Sequence, residues 1–133
     1  LGAWHAGERL RVNEAVPLSQ SLVGTGFGYA AELRRQQGAV LAGLLDKVRD
    51  VRRAGSCALD LCSVASGHLD AYFERGTNVW DFAAGGLMVR EAGGVMTGLR
   101  GSAEGPVMAV AGPAATVAEL VDLLTAADAD APL

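Results

Sequence analysis

Short apolar runs of β type alternate with stretches of helical period along most of this chain, and glycine stands at most of the joins. The runs cover residues 22–28, 69–74, 95–97 and 107–110. Between and after them, apolar residues recur every three or four positions over 30–50, 57–66, 80–92 and at Val117, Leu120, Val121 and Leu124. Such alternation predicts helices laid on a sheet, because each amphipathic helix must bury its stripe against strands. The 133 residues suffice for one domain of this kind. The expected fold class is therefore α/β, a mixed sheet flanked by helices, with no internal repeat and no linker.

Local chemistry sharpens the boundaries. Residues 3–12 read as a hairpin around Gly7, with Leu10 and Val12 alternating with Arg9 and Arg11. The helix over 30–50 contains Gly38 and Gly43, each costing roughly 1 kcal/mol against alanine, so it must lean on tertiary packing. Ser56 is a good N-cap for the helix over 57–66, and Gly67 a good stop. That helix is apolar nearly all round and should be buried. The 69–74 run alternates, with Leu69, Ala71 and Phe73 on one side and Asp70, Tyr72 and Glu74 on the other. The tail from Asp128 to Leu133 is expected to fray.

Composition excludes several classes. Half of the residues are hydrophobic and a fifth charged, too apolar for a disordered chain. No apolar run approaches the ~18 residues of a membrane span. A net charge of −4 argues against a general grip on nucleic acid phosphates. Cys57 and Cys62 lie five apart, with no disulfide framework and no zinc spacing, so reduced thiols and a cytoplasmic protein are expected. The opening Leu1-Gly2-Ala3-Trp4 has neither an initiator methionine nor a signal-peptide pattern, and a piece of a longer protein is expected.

Three places can carry chemistry. Asp81 falls in the first turn of the 80–92 helix, where the dipole favours an ionised carboxylate. Trp80 beside it offers an apolar wall, and Gly85 and Gly86 invite close approach of other backbone. Gly55-Ser56-Cys57 opens a helix whose first N–H groups suit an anion or a hydroxyl. Glu74 ends its strand just before the Asp81 turn and could accept from ligand hydroxyls. Each also has a plainer reading: a helix-start acid, a simple N-cap and a solvated strand end. His5 and His68 lack motif spacing to a serine or cysteine, which leaves a Cys57–His68 nucleophile pair as a minor alternative, and Gly24 to Gly28 lacks the full dinucleotide or P-loop pattern. Arg52-Arg53 reads as a solvated or interface pair, and Asp60 as the holder of a local hydrogen bond.

Taken together, Arg53-Ala54-Gly55-Ser56-Cys57-Ala58-Leu59-Asp60, Asp70-Ala71-Tyr72-Phe73-Glu74, Val79-Trp80-Asp81-Phe82-Ala83-Ala84-Gly85 and Glu91-Ala92-Gly93-Gly94 resemble the C-terminal half of the inositol monophosphatase family. The resemblance covers essentially the whole chain and implies half of a layered α/β/α/β/α fold. It implies that Asp81 is a magnesium ligand, that the backbone around Gly55, Ser56 and Cys57 contacts substrate, and that Glu74 binds an inositol hydroxyl. The implied reaction is Mg2+-assisted hydrolysis of a phosphomonoester such as inositol 1-phosphate. Relatives acting on sugar, histidinol or nucleotide phosphates are alternatives, as is a non-catalytic module docking on transcription machinery.

Two departures qualify that picture. Cys57 stands where the family commonly has alanine, and the family's Asp-Pro-x-Asp-Gly-Thr signature and upstream acidic pair are not among these residues. The expectation is an inactive part of a phosphatase that lacks the N-terminal metal-binding half, exposes the face that half would cover, and belongs to a homodimeric parent.

Overall fold

The computed structural model describes residues 1–133. Its centre is a five-stranded sheet built from β3 (Leu22–Thr25), β4 (Asp50–Arg52), β5 (Ala71–Glu74), β6 (Val95–Thr97) and β7 (Ala109–Gly112), in the order β4-β3-β5-β7-β6. β4, β3 and β5 run parallel, and β7 is antiparallel to both its neighbours. A hairpin of β1 (Trp4–His5) and β2 (Glu8–Arg9) precedes the sheet. Four helices complete the chain: α1 (Ala31–Leu44), α2 (Cys57–Ala65), α3 (Val79–Glu91) and α4 (Ala114–Ala126).

The helices divide between the two faces. α1 and α4 bury Val40, Leu44, Leu120 and Leu124 against Val23, Phe73 and Val110. α2 and α3 bury Leu61, Val64 and Val89 against Tyr72, Met96 and Ala111. The result is three layers, α/β/α, with a hydrophobic core on each side of the sheet. The mid-helix glycines of α3 are explained by this packing. A Cβ on Gly85 would stand 2.6 Å from the Leu61 Cβ on α2, and one on Gly86 would stand 2.8 Å from the Met96 sulfur on β6.

Several expectations need correction. α1 stops at Leu44 rather than Asp50, because the chain must turn to lay Asp50–Arg52 beside Leu22–Gly24 as an edge strand. Val48 matched the helical period because it drops into the same core from the turn. Tyr72, expected on a polar face, is fully buried, since β5 is a central strand covered by helices on both sides. α2 is not buried all round, for Leu59 is 65% exposed.

The tail does not fray. Ala129 is buried, Arg75 Nη1 donates to the carbonyls of Ala129 and Ala131 at 3.2 and 2.7 Å, and Arg100 pairs with Asp128 and Asp130. Exposed ion pairs contribute little alone, so the buried alanine and the Arg75 bonds hold the segment. On the outer side of α3, Trp80, Ala83, Ala84 and Leu87 form an exposed apolar stripe at helical spacing. No helix is long and apolar enough to cross a membrane.

Candidate active site

The three parallel strands all end at one cleft of about 390 Å³. Gly26, Phe27 and Gly28 follow β3, Arg53, Gly55, Ser56 and Cys57 follow β4, and Glu74, Gly76 and Thr77 end or follow β5. Trp80 and Asp81 close it from the start of α3. Ligand sites in open α/β sheets fall at the carboxyl ends of parallel strands, where loops converge and helices begin. All five residues singled out in the sequence (Gly55, Ser56, Cys57, Glu74 and Asp81) line this one cleft.

Ser56 is extended, and its Oγ accepts from the Leu59 N–H at 3.2 Å. The N–H groups of Cys57 and Ala58 belong to the first turn and have no helical carbonyl to bond. Gly55 has φ +91, a left-handed conformation that disfavours side chains, and a Cβ there would also meet Arg53 Nη1 at 2.8 Å. Burial pushes the Cys57 thiol up to about 11, the charges of Glu74, Asp81 and Asp60 add to this, and only the Tyr72 hydroxyl opposes it. A raised pKa disfavours the thiolate, and with it a nucleophilic role for Cys57. His68 offers it no base, since its Nδ1 lies 2.7 Å from Ser66 Oγ on the surface.

Glu74 is half-buried, and its Oε1 accepts from the Tyr72 hydroxyl at 2.8 Å. Burial raises its pKa and the Asp81 charge adds to the rise, while the Tyr72 bond and the Arg53 charge work against it. Asp81 Oδ2 accepts from the Asn78 N–H at 2.8 Å. The plainer reading of Asp81 thus holds for one oxygen, which caps α3, while Oδ1 has no protein partner. Both roles fit one carboxylate.

Asp60 departs from expectation. It caps nothing: it is 2% exposed, and its Oδ2 has no hydrogen-bond partner. Burial, and then the Glu74 charge, push it up to about 6 against the pull of Arg53. The sequence reading took Arg53 only for half of a solvated or interface pair, and gave no site role to Thr77 in the cleft or to Tyr72 buried behind it. Arg53 was legible as the cation next to the Gly55 turn, and Tyr72 as the residue two before Glu74 on the same strand face. Nothing local marked Thr77, whose buried Oγ1 also lacks a partner.

A magnesium site requires several oxygen ligands in near-octahedral array. No group of three or more His, Cys, Asp or Glu side chains is placed to hold an ion. The side chains present therefore do not make a complete coordination shell.

The model of the inositol monophosphatase family matches residues 1–131. An inositol-1-monophosphatase SuhB of Mycobacterium tuberculosis is 48% identical over 119 residues, which are 85% of this chain and 41% of that protein. A Nus factor SuhB of Haemophilus influenzae is 47% identical over 89 residues, 66% of this chain and 33% of that protein. The solved structure of Mycobacterium tuberculosis SuhB superposes with a TM-score of 0.82 at 43% identity, covering 93% of this chain and 49% of that one. The α/β fold and these matches together place the chain in a phosphatase family. The chain belongs to the inositol monophosphatase family, and it spans roughly one third to one half of the length of these relatives.

Proposed function

We propose that this chain forms the substrate-gripping part of a Mg2+-dependent phosphomonoesterase whose substrate is inositol 1-phosphate. One observation carries the reading: the helix start at Ser56–Cys57, Glu74 and Asp81 line a single cleft at the ends of three parallel strands. In this reading the N–H groups of Cys57 and Ala58 donate to the substrate's hydroxyl or phosphate oxygens. Glu74 accepts from an inositol hydroxyl, and Trp80 walls off one side of the cleft. Asp81 Oδ1 gives one metal ligand, and the rest come from the part of the family's length that this chain does not span. The chemistry magnesium supplies when bound is Lewis-acid polarisation of phosphoryl oxygens and activation of water. The proposal includes a cytoplasmic, homodimeric parent and no turnover by these 133 residues alone.

The test measures phosphate release from myo-inositol 1-phosphate with Mg2+, for the chain alone and for the chain fused to the N-terminal half of the Mycobacterium tuberculosis relative. Release by the fusion only, falling roughly 100-fold or more with Asp81→Asn, is expected. Turnover by the chain alone, or a fusion indifferent to Asp81→Asn, overturns the reading.

A further inference from the structure

Tyr72 and Glu74 are alternate residues of β5, so their side chains leave the same face of the sheet. That face is covered by α2 and α3. Tyr72 is wholly buried, and a buried phenol requires a hydrogen-bond partner. Its hydroxyl donates to Glu74 Oε1 at 2.8 Å. The same carboxylate lies against the bare Cα of Gly26. A Cβ at that position would collide first with Glu74 Oε1, and would stand 2.6 Å from Cδ and 2.9 Å from Oε2. The carboxylate is therefore held by a fixed donor and by a backbone that has room for it only as glycine. Oε2 receives no donor from the protein and belongs to a residue that lines the cleft.

We propose that Tyr72 is a positioning residue for Glu74, its hydroxyl turning the carboxylate so that Oε2 faces the cleft and accepts from a hydroxyl of a polyol phosphate. The nature of that ligand rests on the function proposed above; the Tyr72–Glu74 relation does not. A phenylalanine at 72 fills the same volume, yet it leaves Glu74 free to rotate about its last torsion. The tyrosine bond also favours the charged carboxylate, since a donor stabilises the ionised acceptor more than the neutral acid. Burial acts in the opposite direction on the same group.

The test is Tyr72→Phe in the full chain, with the Glu74 side-chain carboxyl followed by carbon NMR against pH and myo-inositol 1-phosphate binding followed by shift perturbation. Loss of the donor is expected to move the Glu74 midpoint upward by roughly half a pH unit or more. Binding is expected to weaken roughly 3- to 10-fold, and adding Tyr72→Phe to Glu74→Gln should weaken it no further. A purely packing role for Tyr72 predicts an unmoved Glu74 midpoint, and that result overturns the proposal. Should the variant fail to fold, the wild-type chain decides. A slowly exchanging Tyr72 hydroxyl proton whose shift follows the Glu74 titration supports the proposal, and the lack of one overturns it. A wild-type chain that binds no inositol phosphate, with the Glu74 midpoint still moved by Tyr72→Phe, removes the function reading and leaves the positioning intact.

Discussion

The carboxyl carbon of Glu74 lies 2.6 Å from where a Cβ on Gly26 would stand. The two residues sit at the ends of neighbouring parallel strands, 48 positions apart along the chain, and only one of them can possess a side chain there. Gly26 is thus a packing requirement, since its φ lies outside the left-handed region and its backbone would accept alanine. The cleft gains from this the room its carboxylate occupies.

Gly26→Ala is expected to push Glu74 aside and strip the buried Tyr72 hydroxyl of its acceptor, a loss of about 1–2 kcal/mol. In a Tyr72→Phe background no hydroxyl is left to orphan, and the same substitution should cost less. Urea unfolding of the four proteins measures the difference. Equal costs in both backgrounds would show that Glu74 and Tyr72 are not coupled through position 26.

Two helical glycines should respond in opposite ways to alanine. Gly43 on α1 has nothing within 4 Å of its would-be Cβ, so Gly43→Ala gains helix propensity and should stabilise by about 0.5–1 kcal/mol. Gly85 on α3 faces the Leu61 Cβ at 2.6 Å, and that atom is held close to the α2 backbone. Overpacking there costs about 1–3 kcal/mol, which outweighs the propensity gain, and Gly85→Ala should destabilise. Thermal or urea unfolding decides, and stabilisation by Gly85→Ala would contradict the helix packing described.

Asp60 predicts a pH dependence of stability with a definite sign. Its folded pKa, about 6, exceeds its ordinary value of 3.8, so the native state binds this proton more tightly than the unfolded chain. Its favourable contribution is complete below about pH 4 and is lost as pH rises through about 6. Asp60→Asn cannot titrate. Its unfolding free energy should therefore gain on the wild type between pH 4.5 and 7, by on the order of 1 kcal/mol after allowance for solvent screening. A difference between the two proteins that does not change over that range would show that Asp60 is solvated and ionised throughout.

Much of the fold and of the site was legible in the chain because the relevant signals are local. Ser56 before an apolar stretch and Gly67 after it bracket α2 almost to the residue, since caps act within a single turn. The Trp80-Asp81 start and the Gly93-Gly94 stop did the same for α3. β4 was hidden because Val48 kept step with the preceding helix, and a three-residue edge strand is defined by its partner β3, 28 positions earlier. The tail was misjudged because its anchors, Arg75 and Arg100, lie 54 and 28 residues away from the groups they hold.

By itself the amino-acid order determined where α2 and α3 begin and end, which residue types stand at their starts, and that an α/β fold results. Tertiary structure alone decided that Tyr72 is buried rather than wet, that Asp60 has no partner, and that the β3, β4 and β5 termini meet around Glu74 and Asp81. The reason is physical. Caps, turns and periodicity act over a few residues, whereas burial, pKa and the volume a side chain can fill are set by segments that meet only when the sheet assembles.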